Sequence, residues 1–162
     1  MNQQQYRLIQ VIQKIEVFNG LEVEEAQHLL RLCHPKAFAP NQQVYKAGEP
    51  SADMLILLQG QLIVTSHTGK VLGEVLPGAS IGEMGVLTGH PRSANVTASG
   101  KTGGIMISKD ALDSLLRSNP VIRAKVLQKM VDILSERLVE ANRKIEALNS
   151  RILEMEGKAA GA

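Results

Sequence analysis

The stretch Gly78-Ala79-Ser80-Ile81-Gly82-Glu83-Met84-Gly85-Val86-Leu87-Thr88-Gly89-His90-Pro91-Arg92-Ser93-Ala94-Asn95-Val96 decides how this chain is read. Glu83 and Arg92 are the only Asp, Glu, Lys or Arg residues between Leu76 and Gly100. Between them, Met84–Thr88 can form a single helical turn, whose first N–H groups have no partner within the helix. Glycines at 82 and 85 let a ligand approach the backbone closely. The pattern predicts a small cup with one positive and one negative wall.

Amide donors at a helix start, together with Arg92 and the Ser93 amide and hydroxyl, suit one small anion such as a phosphodiester. Glu83 is acceptor-only when ionised, so it repels a phosphate but suits a neutral hydroxyl donor. A 3′,5′-cyclic nucleotide, with its 2′-hydroxyl free, meets both demands. The other reading of the same charges is a salt bridge between Glu83 and Arg92. A buried pair often contributes little net stability, so stability alone is a weak reason to keep one.

Outward from the cup, residues 35–107 alternate apolar runs with turn clusters. The runs are Gln43–Tyr45, Leu55–Leu58, Leu62–Thr65, Val71–Leu76, Ala94–Ala98 and Gly104–Ile107, and the turns include Ala47-Gly48-Glu49-Pro50, Gln59-Gly60, Thr68-Gly69-Lys70 and Pro77-Gly78. This spacing predicts a small all-β sandwich or barrel, with Gln59-Gly60 as a hairpin turn. Upstream, Leu8, Ile9, Ile12, Ile15 and Val17 mark one helix side, Asn19-Gly20 breaks it, and Leu21–Cys33 is a second amphipathic segment. Downstream, Ser108 can cap a short helix over 109–117. Asn119-Pro120 opens another, with Asn119 as its N-cap and Pro120 at the first helical position.

Ile81–Leu87 followed by Pro91–Val96 resembles the phosphate-binding cassette of the cyclic-nucleotide-binding domain family. That family includes the bacterial catabolite activator protein and the regulatory subunits of cyclic-nucleotide-dependent kinases. Gly48-Glu49-Pro50 and Asp53 through Gly60 resemble its turn and hairpin glycines, and the similarity covers about residues 18–135. The resemblance implies that Glu83 accepts from the ribose 2′-hydroxyl, with the Gly82 backbone and Met84 beside it. It implies that Arg92 pairs with the cyclic phosphate, helped by Ser93 and by amides near Gly85 and Ala94. Gly85 stands where many members have alanine, and Asn95 where Thr, Ser or a bulky residue is commoner. Base contacts in the family come from the hairpin region and from a closing helix, here the one beginning at Pro120. Arg137 and Leu138 resemble positions from which that helix reaches adenine in the catabolite activator protein, though both residue types differ. Arg137 is therefore a candidate for the base, with a solvated coiled-coil g position as the favoured reading. Cyclic AMP is the leading ligand, with cyclic GMP or another cyclic nucleotide as the alternative.

The final helix has no proline after Pro120 and no glycine before Gly157. Along it Leu127, Val131, Leu134, Leu138, Ala141, Ile145, Leu148, Ile152 and Met155 alternate spacings of four and three without a slip, a heptad pattern. Mostly β-branched a positions and mostly Leu at d favour a parallel two-stranded coiled coil, with Arg137, Lys144 and Arg151 at g. The first two turns, with Val121, Ile122, Ala124 and Val126, are expected to dock on the β domain.

The fold class expected is α+β, mainly β: a jelly-roll-like β-roll with flanking helices and a long C-terminal coiled-coil helix. The divisions expected are N-terminal helices over 1–34, the nucleotide-binding roll with a short helix over 35–118, a lid and dimerisation helix over 119–156, and a flexible tail over 157–162.

Composition narrows the function. In 162 residues, 18 Lys plus Arg stand against 16 Asp plus Glu, too weak an excess to argue for a nucleic-acid or membrane surface. The only aromatics are Tyr6, Phe18, Phe38 and Tyr45, so no platform of rings stacks successive bases. No segment after about 157 supplies a helix-turn-helix, which argues against direct DNA reading. His28, His34, His67 and His90 form no metal-binding spacing, and Ser66, Ser93 and Ser114 lack a nucleophile's context. Cys33 is alone, which fits a reducing compartment. With no signal-peptide pattern and no membrane span, the expected location is the cytoplasm. The reading is a cAMP sensor without catalytic activity, metal or cofactor, which forms a homodimer through the heptads and signals to a downstream protein partner. The alternative is a coiled-coil scaffold whose nucleotide-binding fold holds no ligand.

Overall fold

The computed structural model describes residues 2–160. Helix α1 (Gln3–Lys14), a 3₁₀ turn (Glu16–Phe18) and α2 (Val23–Leu32) precede the strands. Then come β1 (His34–Phe38), β2 (Gln43–Tyr45), β3 (Asp53–Gln59), β4 (Leu62–Thr65), β5 (Val71–Val75) and β6 (Ser80–Ile81). Helix α3 (Glu83–Thr88), β7 (Asn95–Ala98), β8 (Thr102–Ser108), α4 (Lys109–Ser118) and α5 (Pro120–Ala160) complete the chain. The strands form two antiparallel four-stranded sheets, ordered β1-β8-β3-β6 and β2-β7-β4-β5. This is the expected β-roll with flanking helices and a long C-terminal helix.

Strand β3 shows why its sequence is apolar without alternation. Leu55 and Leu57 point into the roll, where they meet Phe38, Tyr45, Leu62, Val96 and Ala98. Met54 and Ile56 point the other way, into a second core shared with α1, α2, α4 and α5. All four are fully buried, as in a strand covered on both faces. Two strands lie outside the expected set. In β1, four of five residues are exposed, so no pattern announces it. It exists because His34–Phe38 pairs with Met106–Thr102 of β8. In β6, two residues pair with Ile56 and Leu55 and deliver the chain to the cup.

Ser108 caps α4 as expected, accepting from the Ala111 N–H at 3.3 Å. Asn119 differs from expectation in detail. Its carbonyl accepts from the Arg123 N–H at 3.0 Å, but its side-chain amide donates back to the Leu115 carbonyl at 3.2 Å. Asn119 thus ties the end of α4 to the start of α5 instead of capping α5 through its side chain.

Helix α5 docks through Ile122, Val126, Met130 and Ile133, all buried, whereas Val121 and Ala124 face outward. Docking therefore extends about two turns further than expected, along a stripe offset from the heptads. Lys125 Nζ reaches Glu25 Oε2 of α2 at 2.7 Å and adds a charged tie. The heptad residues other than Ala141, from Leu127 to Met155, are 41% to 69% exposed, so the β domain does not consume that stripe. The helix continues to Ala160, beyond the expected start of the tail; residues 161 and 162 of that tail lie outside the described residues.

Candidate functional site

Helix α3 begins at Glu83, the first of the two charges singled out in the sequence, and ends before Arg92, the second. Gly82 precedes it at φ 89°, a left-handed conformation open to glycine at little cost. A Cβ there would overlap Arg92 Nη1. Gly89 closes the helix in the same conformation, and the chain turns back toward Arg92. The first amides of α3 have no partner inside the helix.

Arg92 is 8% exposed and held from several sides. Its main chain is clamped by Gly48-Glu49: the Gly48 N–H donates to the Arg92 carbonyl, and the Arg92 N–H to the Glu49 carbonyl, each at 2.8 Å. Its Nη2 donates to the Asp53 carbonyl at 2.5 Å and to Asp53 Oδ1 at 3.0 Å, and Nη1 to the Gly82 carbonyl at 3.3 Å. The guanidinium lies over the Tyr45 ring, 3.6 Å from its centroid. Of its five N–H donors, the Nε–H and one on Nη1 remain for a ligand.

Glu83 is also 8% exposed, and its partner is Arg137 of α5, whose Nη2 donates to Glu83 Oε1 at 3.0 Å. Glu83 and Arg92 therefore do not pair with each other, and the salt-bridge reading of the sequence is corrected. Each instead holds a different partner, Arg137 on α5 and Asp53 on β3. Arg137 is not a purely solvated position: its side chain is 52% exposed, with its tip on the Glu83 carboxylate.

One cavity of about 680 Å³ is lined by Gly82, Glu83, Met84, Gly85, Arg92, Ser93, Ala94 and Arg137, all eight candidate residues. That volume lies within the usual range for a small-molecule site. Val64, Val75, Ile81 and Leu134 supply an apolar wall. Ser93 and Ala94 lie at the cavity edge, with Ser93 exposed. Gly85 is explained by Ser51, whose hydroxyl donates to the His90 carbonyl at 2.8 Å and fills the space a Cβ at 85 would need. Asn95 braces the fold, accepting from the Ala47 N–H at 2.9 Å and donating to the Ser66 carbonyl at 3.0 Å.

Sequence reasoning did not assign Tyr45, Ser51 or Asp53 to the site. The only signals were an aromatic before the Gly48 turn and a charge opening an apolar strand. Tyr45 is 6% exposed, and its hydroxyl is the one buried side-chain polar atom without a hydrogen-bond partner among the described residues. Burial, and then the nearby Asp53 carboxylate, hold that hydroxyl far above its ordinary pKa. Elsewhere, burial pushes the Cys33 thiol up to about 12, so it stays protonated at neutral pH. Among the described residues, no group of three or more His, Cys, Asp or Glu could hold a metal ion. No helix among them is long and apolar enough to cross a membrane.

Comparison with known proteins adds the family context. The family model described as cyclic nucleotide-binding domain matches residues 35–119. A crystal structure of a cyclic nucleotide-binding domain from Methylobacillus flagellatus superposes with a TM-score of 0.71 at 30% identity, covering 85% of this chain and 79% of that one. The regulatory domain of Toxoplasma gondii PKA, crystallised with cAMP, shares the fold with a TM-score of 0.67 at 19% identity, over 71% of this chain and 46% of that one. Among curated proteins, Glutaminase 2 of Bradyrhizobium diazoefficiens is 28% identical over 130 residues, 80% of this chain and 21% of that protein. The chain thus spans about a fifth of the curated relatives it matches.

Proposed function

The chain belongs to the cyclic nucleotide-binding domain family, and on that footing we propose that its cavity takes up cAMP and that the protein is a regulatory sensor, not a catalyst. One observation carries this reading. Glu83 and Arg92, both buried, face one cavity without neutralising each other, which leaves a negative and a positive subsite side by side. The cyclic phosphate takes the free donors of Arg92 and the opening amides of α3. The 2′-hydroxyl donates to Glu83 Oε2, because Oε1 already holds Arg137. The base lies against Val64, Val75 and Leu134, where guanine's additional polar groups would go unpaired, so adenine is favoured.

Arg137 connects this site to α5. A ligand that changes how Glu83 holds Arg137 shifts the balance between positions of that helix, provided it binds them unequally. Along the exposed heptads, Leu127, Val131, Leu134, Leu138, Ala141, Ile145, Leu148 and Ile152 form the seam of a parallel homodimer, through which the signal passes to a protein partner. No direct DNA contact is part of this reading.

Calorimetry with cAMP and cGMP tests it. Wild-type protein binds cAMP at micromolar or lower concentration and cGMP more weakly, and Arg92→Ala abolishes the heat. No heat with either nucleotide favours the scaffold alternative, in which Glu83→Ala and Arg92→Ala leave partner binding intact.

A further inference from the structure

Beneath the phosphate subsite, Arg92 is joined by two residues from outside the cassette motif, Tyr45 and Asp53. Tyr45 on β2 supports the Arg92 guanidinium from one face, 3.6 Å from the ring centroid. Asp53 on β3 holds the same guanidinium edge-on through Nη2 at 3.0 Å. Both residues are brought to Arg92 by the sheets, since β2 pairs with β7 and β3 pairs with β6 and β8. The Tyr45 hydroxyl has no hydrogen-bond partner although it is buried. A buried hydroxyl left unpaired destabilises the state that contains it. The charges of Asp53 and Arg92, the two members of the neighbouring pair, both act on it.

We propose that Tyr45 is a positioning residue of the phosphate subsite: its ring fixes the plane of Arg92, and its hydroxyl becomes the donor to Asp53 when a phosphate draws the Arg92 Nη2 group away. The exchange conserves partners. Arg92 gains phosphate oxygens at its free Nε and Nη1 donors as the pull on the guanidinium releases the Asp53 carboxylate oxygen from Nη2, Asp53 trades a guanidinium donor for a phenol donor, and the hydroxyl gains the bond it lacked. No proton changes owner, because the phenol stays protonated beside an ionised carboxylate. Binding therefore recovers a cost that the ligand-free protein carries. The inference rests on the cAMP reading of the cavity and adds a residue that reading does not require.

Tyr45→Phe separates the hydroxyl from the ring. The expected result is a ligand-free melting temperature equal to or above wild type, because the unpaired hydroxyl is gone, with cAMP affinity lower by about three- to tenfold. Tyr45→Leu removes the ring as well and loses about a further three- to tenfold. A merely structural role moves stability and affinity down together. In the same series, the Arg92 Nε–H proton resonance lies upfield in wild type and Tyr45→Phe from the ring beneath it, and returns toward its ordinary position in Tyr45→Leu. Unchanged affinity in Tyr45→Phe, or a melting loss that parallels the affinity loss, overturns the proposal while wild-type binding leaves the cAMP reading standing. A wild type that takes up neither cAMP nor cGMP fails that reading, and the proposal falls with it.

Discussion

Replacing Gly82 with alanine probes the contact on which the geometry of the cup turns. Gly82 has φ 89°, and its missing side chain leaves the space occupied by Arg92 Nη1. Two costs add. The left-handed conformation costs a non-glycine residue about 1–2 kcal/mol. Displacing the guanidinium from the Gly82 carbonyl forfeits a hydrogen bond to a charged group, about 1.5–3 kcal/mol. The total is about 2.5–5 kcal/mol, and at about 2–4 °C per kcal/mol for a chain of this size the melting temperature falls by about 5–20 °C. Gly69→Ala is the control, since Gly69 has φ 86° with no atom within 4 Å of the added Cβ. It should bear the first cost alone, about 1–2 kcal/mol. Thermal melting of the two variants isolates the Arg92 contribution as their difference, and cAMP titration should show a loss only in Gly82→Ala. If both melt together and both bind like wild type, the guanidinium has room to move, and the claim that this glycine is reserved for it is wrong.

Three further outcomes follow from the same structure. Gly85→Ala destabilises the cassette because its Cβ would overlap Ser51 and press on the His90 carbonyl; the double variant with Ser51→Gly recovers the Ser51 part of the loss, read as an interaction energy in a thermal double-mutant cycle. Ile145→Asp on the exposed stripe shifts the protein from dimer to monomer in sedimentation equilibrium while the roll keeps its melting temperature, and a monomeric wild type at about 100 µM removes the coiled-coil proposal. Burial pushes the Glu25 carboxyl up, but hydrogen bonds from Lys125 and the Glu22 N–H, with the Lys125 charge, bring it below the usual 4.5. Its stabilisation is therefore present above that value and is lost as pH falls through the lowered one. Lys125→Met removes this dependence, so denaturation midpoints of wild type and variant converge as the solution is acidified.

The cassette was legible because its signal is local: two charges in an uncharged run, with glycines where the chain must turn or approach a neighbour. The heptads were legible for the same reason, since a repeat survives in sequence whether or not its partner is present. Strand β1 was not, because Pro35 and Lys36 are exposed and the segment becomes a strand only through β8, some 70 positions away. Tyr45 and Asp53 escaped for a related cause. Each acquires its meaning from Arg92, which the sheets bring to it over 47 and 39 positions. Met130 and Ile133 were read past because the heptad stripe at Val131 and Leu134 runs beside them, and only packing shows which of two adjacent apolar stripes faces the core.

Helix α5 carries Arg137 near its middle and runs unbroken to Ala160. Those 23 positions span about 35 Å at 1.5 Å each, a lever arm whose fulcrum is the carboxylate it grips. A pivot of about 5° there sweeps the far tip through about 3 Å, nearly the height of a water molecule. On the proposed sensor reading, a displacement too small to notice inside the pocket would arrive at the distal end as a step large enough for another protein to register.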